Sequence, residues 1–337
     1  MSANKFNRTA KGRRRWGVVL AAGLAAVSLA ACSGPAGGKD DSGDGVAAGG
    51  GPKMKVALIT HSTPGDTFWD IMRKGADTAG KKDNIEVLYS SDPDGARQAQ
   101  LVDQAVDQKV DGIIVSLAKP EAMAGSVKKA LDAGIPVYSV NSGENEYKDM
   151  GVLAHFGQDD RVAGQAAGEK LKELGAKHVV CVIQEQGHVG LENRCTGVEE
   201  KLGGKMERLY VTAADSTNIS STITSKLQTT KSVDYVLTLG APQAPIAQKA
   251  ISEAGSDAKL ATFDMNADVI KGLKNDSLQF GVDQQPYLQG YEAVDAVWLN
   301  KRNANVLGGG RAVLTGPQII TKDDADELEE YVEKGTR

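Results

Sequence analysis

The sequence predicts an α/β protein made of two Rossmann-like lobes, each a parallel sheet covered by helices. Three observations carry that prediction. From Lys53 onward short β-rich runs alternate with helical segments, a polar glycine-containing stretch over 141–158 interrupts the alternation, and a second, similar series follows. Strands that alternate with helices argue for parallel pairing with both faces of the sheet covered. One interruption between two like series argues for a passage between lobes. The length of 337 residues suits two medium domains, and 41% hydrophobic with 25% charged residues places the chain in the globular class rather than the disordered one.

Residues 1–31 hold six Lys or Arg and no acid, which leaves 33 basic against 44 acidic residues in the remainder, a net charge of -11. So acidic a body does not suit a nucleic-acid surface. Lys5, Arg8, Lys11 and Arg13 to Arg15 form a basic region, and the apolar run 16–31 ends at Leu29-Ala30-Ala31-Cys32. Residues 1–31 therefore read as a signal peptide, too short and too rich in Gly and Ala for a permanent membrane span. The last four residues resemble a bacterial lipobox, which would make Cys32 the lipid-modified N-terminus after cleavage; a plain secretory signal beside a chance Cys is the other reading. Arg14-Arg15 leaves a twin-arginine export route open. Residues 32–52, mostly Gly, Ala, Ser and Asp, are expected to form a flexible tether. Asp40, Ser42, Asp44 and Gly45 approach a calcium-loop pattern, but Gly51 stands where a bidentate Glu is needed, so they read as solvating charge.

In the first series, strands are expected at 56–60, 85–89, 112–116 and 136–140, with helices at 68–81, 96–108 and 121–133. Leu101, Ala105 and Val106 show the helical spacing, and Gly134 followed by Pro136 stops the third helix. The second series reads as helix 161–174, strand 178–183, helix 191–202, strand 206–211, helix 219–229, strand 235–239, helix 243–254, strand 259–263 and helix 267–275. It ends on the stretch 278–291, LQFGVDQQPYLQGY. There Phe280 and Val282 alternate as in a short strand, and Asp283, Gln284 and Gln285 line its carboxyl end. Pro286 is expected to hold Gln285 extended and to start the next helix. Ligands of open α/β sheets bind beyond the carboxyl ends of strands, so this polar corner is a candidate site.

Catalytic motifs are missing. The chain has no GxGxxG, no GxxxxGK[ST], no GxSxG and no HExxH, which removes the usual dinucleotide, P-loop, hydrolase-elbow and zinc-protease readings. The histidines at 61, 155, 178 and 188 show no metal-ligand spacing and read as structural or exposed, so neither metal nor cofactor is expected. The polar and aromatic residues at strand ends are what remain: Phe68 and Trp69 on the loop after the first strand, then Ser116, Asn141, Gly240, Phe263-Asp264 and Gln284, with Arg194 opening a helix region. Aromatic faces beside planar hydrogen-bonding groups suit a sugar, whose C–H faces pack on rings while its hydroxyls need donors and acceptors. One of Phe68 and Trp69 is expected to contact ligand and the other to anchor its helix. Cys181, in the apolar strand HVVCVI, and Cys195, at a helix start, either form a disulfide, permitted outside the cytoplasm, or remain buried thiols.

Taken in order, KVALIT with FW and KGA after it, VDGIIVS, AGIPVYSVNS, AGQAAGEKL, RCTGV, ATFDMNADV and DQQPYLQGY span nearly all of residues 53–321. Over that length the chain resembles the periplasmic sugar-binding proteins of ABC importers, the ribose- and galactose-binding group whose type I fold is shared with LacI-type repressors. The resemblance implies a ligand site made of Phe68, Trp69, Ser116, Asn141, Arg194, Phe263, Asp264 and Gln284, with Arg194 and Asp264 fixing a vicinal diol and Phe263 closing the opposite sugar face. It also implies a hinge crossed three times, which divides the body into 53–157 plus 285–315 and 158–284 plus 316–337. The implied partners are a small sugar or polyol and the membrane permease subunits of an ABC transporter, with the membrane reached through the lipid anchor only. Asn141-Ser142 where many relatives have Asp-Arg, and Gly240 where Asn or Asp is common, turn the expected ligand from ribose toward another pentose, a hexose or a cyclic polyol. A sugar-sensing receptor stays open, as does a sugar-processing enzyme, for which Asp264 with Asp283 is the one carboxylate pair available. A repressor would need a DNA-binding helix-turn-helix where the signal peptide stands.

Overall fold

The computed structural model describes residues 52–337 apart from Pro64. The expectations for the signal peptide, for Cys32 and for the tether up to Gly51 lie outside the described residues. The first series folds as β1 (Met54–Thr60), α1 (Thr67–Asp83), β2 (Ile85–Ser91), α2 (Gly95–Asp107), β3 (Gly112–Ser116), α3 (Pro120–Asp132), β4 (Val137–Asn141) and β5 (His155–Gly157). The second runs α4 (Asp160–Glu173), β6 (His178–Ile183), α5 (Val189–Leu202), β7 (Lys205–Tyr210), α6 (Ser216–Thr229), β8 (Tyr235–Thr238), α7 (Gln243–Glu253), β9 (Lys259–Phe263), α8 (Ala267–Lys274) and β10 (Gly281–Asp283). Then follow α9 (Pro286–Asn303), β11 (Val313–Leu314), β12 (Gln318–Ile320) and α10 (Lys322–Glu333). The architecture is α/β, two series of alternating strands and helices.

Two sheets result, in the orders β11-β5-β4-β3-β1-β2 and β12-β10-β9-β8-β6-β7. Every pair is parallel except β10 with β12. Because helices cover both faces, β3 and β4 are buried at every position, and each sheet has a separate apolar core on either side. Helix starts are set by acceptors: Asp66, Asp94, Asp159, Asp215 and Asn266 each accept from a backbone N–H of the first turn. For that reason several helices begin one or two residues before the periodic apolar pattern does.

The chain passes between the sheets after β5, after β10 and after β11. Ala293, Val294, Ala296 and Val297 of α9 then pack with Leu58 and Ile114 in the first core, while Ala325, Leu328 and Val332 of α10 join the second. The two later passages are tied together. The Thr315 hydroxyl donates to the Gln284 carbonyl at 2.7 Å, and the Gln285 amide donates to the Thr315 carbonyl at 2.6 Å. The extended conformation expected for Gln285 is not found. Its φ and ψ are 56° and 64°, a left-handed turn held by its N–H on Asp283 Oδ1 at 2.9 Å together with the bond to Thr315. Two hydrogen bonds here outweigh the bias that a following proline imposes.

Candidate ligand-binding cleft between the two sheets

The carboxyl ends of β1, β4, β6, β8, β9 and β10 face one another across the gap between the sheets. There they enclose a cavity of about 50 Å³ lined from both sides, with Phe68, Trp69 and Asn141 from the first half and Arg194, Asp264 and Gln284 from the second. Gln284 joins the halves. Its Oε1 accepts from Asn141 Nδ2 at 3.2 Å and from Gln289 Nε2 at 3.1 Å, while its Nε2 donates to Asp264 Oδ1 at 2.7 Å. Asn141 and Asp264 both have φ of 65°, a left-handed strand exit that Asn and Asp tolerate better than most side chains.

Arg194 is placed by close helix packing. A Cβ on Gly164 of α4 would stand 2.1 Å from the Arg194 carbonyl, and one on Gly197 of α5 would stand 2.1 Å from the Arg161 carbonyl, so α4 and α5 approach to backbone contact. At 2% exposure, the Arg194 side chain donates from Nε to Asp160 Oδ1 at 2.7 Å and from Nη1 to the Leu239 carbonyl at 3.1 Å. Burial works to lower its pKa, but Asp160 and Asp264 outweigh that and hold it above the usual value. Burial pushes Asp264 up to about 7, against the pull of Arg194 and of the Gln284 bond. Burial likewise raises Asp66 to about 6. Cys195, next to Arg194, is bonded to Cys181 of β6, with Cα atoms 6.0 Å apart.

A histidine pair also spans the gap. His188 caps α5, its Nδ1 accepting from the N–H groups of Gly190 at 3.1 Å and Leu191 at 3.3 Å, so its proton sits on Nε2. That nitrogen donates to His61 Nε2 at 3.1 Å, and His61 carries its own proton on Nδ1, 2.7 Å from Ser116 Oγ. Burial lowers the pKa of both rings, and His61 lowers that of His188 further. Glu185 lies close enough to form a metal-sized cluster with them. The tautomers argue against chelation, since the His188 nitrogen that faces the cluster is protonated and its other lone pair is spent on the helix cap. Lys119 pairs with Glu185 across the gap at 2.8 Å, a partly exposed contact that contributes under about 1 kcal/mol.

Of the eight residues expected from sequence, Phe68, Trp69, Asn141, Arg194, Asp264 and Gln284 line the cavity, and Ser116 and Phe263 do not. Ser116 is fully buried, with its hydroxyl beneath His61. Phe263, expected to close a ligand face, has a fully buried ring against Arg194, whose guanidinium lies 4.8 Å from the ring centroid. Asp283 also stays away from the cavity, its carboxylate taken by the Gln285 N–H and by Arg337, so the carboxylate pair an enzyme would need does not converge. Sequence reasoning missed His61, His188, Gln184 and Gln243 as lining residues and Asp160 as the partner of Arg194. For Gln184 and His61 the position directly after β6 and β1 was an available signal; for the others nothing local distinguishes them.

A polar cleft between two mostly parallel sheets, joined by three passages of the chain, defines a two-lobed solute-binding protein. The chain belongs to the periplasmic binding protein domain family, whose profile matches residues 56–303. This is a family of binding proteins rather than of enzymes. It is similar in structure to a carbohydrate transporter from Acidothermus cellulolyticus 11B in complex with myo-inositol, with a TM-score of 0.84 and 49% identity, covering 85% of this chain and all of the other. By sequence it is 25% identical to the xylose/arabinose-binding protein XylF of Sulfolobus acidocaldarius, over 74% of this chain and 66% of that protein. It is also 29% identical to a xylitol-binding protein of Mycolicibacterium smegmatis, over 60% of this chain and 54% of that protein. The matches thus span from about half to just under two thirds of those two relatives' own lengths.

Proposed function

We propose that this chain is an extracytoplasmic receptor that captures a cyclic polyol or small sugar between its two lobes and presents the closed form to the permease of an ABC importer. The observation that carries the reading is the bridge of Gln284 between Asn141 and Asp264, which makes one side chain of the cavity common to both sheets. The lobes are 53–157 with 285–315 and 158–284 with 316–337, and the three passages between them serve as the hinge. A ligand that contacts both lobes stabilises the closed state by its higher affinity for it, and closure is what a permease can recognise. Within the cleft, Phe68 or Trp69 packs on a C–H face, while Arg194, Asp264, Asn141 and Gln284 serve the hydroxyls. The likeness to a myo-inositol-bound relative at 49% identity supports the cyclic-polyol class. Calorimetry is expected to show myo-inositol binding at micromolar affinity or tighter, about -8 kcal/mol, with ribose and xylose weaker. Failure of the panel to bind at all would sink the reading.

The sequence pattern at 29–32 supports a lipid on Cys32 that holds the receptor at the outer face of the cell membrane. Cys32→Ser is expected to release the protein from the membrane fraction; unchanged attachment on fractionation defeats the anchor.

A further inference from the structure

Two amide side chains of the cleft have carbonyl oxygens without a donor among the described residues. Gln184 follows β6, Gln243 opens α7, and both line the cavity. Among the described residues, the Oε1 atom of each is buried with no hydrogen-bond donor. Gln243 as a whole is 6% exposed. The two meet over Gly240, where a Cβ would stand 2.6 Å from Gln243 Oε1 and 3.2 Å from Gln184 Nε2. The space that a side chain at 240 would fill is occupied instead by amides reaching in from two other elements.

Packing does not account for them. A buried amide oxygen without a donor costs about 1 to 3 kcal/mol, and Leu would fill a similar volume without that cost. The missing donor has a natural source in a ligand hydroxyl. A hydroxyl both donates and accepts, so it satisfies an amide in either orientation, whereas the ring oxygen of a pyranose only accepts. The amides are also neutral, so what they add to Arg194 and Asp264 is recognition of uncharged hydroxyls rather than of a carboxylate or phosphate.

We propose that Gln184 and Gln243 set the specificity of the cleft: they bind hydroxyls on the ring edge that lies over Gly240 and favour a ring hydroxylated at every carbon, a cyclitol, over a pentose. The proposal rests on the cyclic-polyol reading above. The test is calorimetry on the parent, Gln184→Leu and Gln243→Leu with myo-inositol, a series of deoxyinositols each lacking one hydroxyl, and D-xylose. The parent is expected to bind at least one deoxyinositol about 10-fold or more weaker than myo-inositol, as a hydrogen bond lost with its partner left buried requires. Gln243→Leu is expected to bind myo-inositol about 10- to 100-fold weaker. It should also lose the discrimination against that deoxyinositol, at a melting temperature without ligand equal to or above the parent's. Gln243→Met, unbranched at Cβ and Cγ as Gln is and Leu is not, decides the matter if the Leu variant is less stable. Parent-like affinity and parent-like order of ligands in both Gln184 and Gln243 variants overturns the proposal while the polyol reading stands. A parent that binds none of the panel overturns the polyol reading and this proposal with it.

Discussion

Arg194→Met is expected to weaken ligand binding by about 150- to 20,000-fold, the loss of two charge-assisted hydrogen bonds at about 1.5 to 3 kcal/mol each. Asp160 and the Leu239 carbonyl occupy two of its N–H groups, and the side chain lines the cavity with the rest of its fork. The same change leaves Asp160 buried without its cation, which by itself destabilises a fold by about 3 to 5 kcal/mol, so a lower melting temperature is also expected. Arg194→Lys separates the effects: a cation remains beside Asp160, but the planar fork is gone, and affinity should still fall about 10-fold or more. Asp264 gives the pH dependence. Its folded-state value of about 7 lies above the ordinary carboxylate value, so ionising it as pH rises through 7 costs the fold stability, while only the ionised form accepts freely from two hydroxyls. Parent affinity should therefore rise from pH 6 to pH 8. Removing Arg194 takes away the main influence that lowers this value and moves the rise to higher pH. Parent-like affinity in both variants across that range would remove Arg194 from the site.

The fold was legible because alternation of β and α segments is a long-range pattern that no single residue has to carry. Helix starts were read late where the cap lies outside the periodic run, as with Asp159 and His188. The site was legible in part. Asn141, Asp264 and Gln284 follow from their place at strand ends, but that signal does not say which way a side chain points. Phe263 is the last residue of β9 and packs against Arg194, while Asp264 beyond it, in the left-handed exit, enters the cavity. His61 and His188 meet across 127 residues, a contact no local pattern announces. Gly240 looked like a lost polar group. In the folded chain the polar function there comes from Gln184 and Gln243, each of which reads in sequence as an ordinary loop or cap residue.

Replacing both Cys181 and Cys195 by Ala is expected to lower stability by about 3 kcal/mol, the loop-closure cost that a bridge across some 15 residues removes from the unfolded chain. The bridge ties the middle of β6 to α5 across a sequence separation of 14, and both residues are fully buried. A core of this size loses about 2 to 4 °C of melting temperature per kcal/mol, which puts the expected drop at roughly 6 to 12 °C. The effect on binding should be much smaller. Arg194 neighbours Cys195, yet its position is also fixed by the backbone contacts at Gly164 and Gly197 and by Asp160, none of which the substitution touches. Affinity is therefore expected to stay within about 10-fold of the parent's, under about 1.4 kcal/mol. Unfolding curves with and without reductant check the cause: reduction should bring the parent down to the variant's midpoint and leave the variant where it is. Equal midpoints for parent and variant without reductant would mean that the bridge contributes nothing. A loss of affinity as large as that of Arg194→Met would mean that the bridge, rather than the helix packing, places the guanidinium.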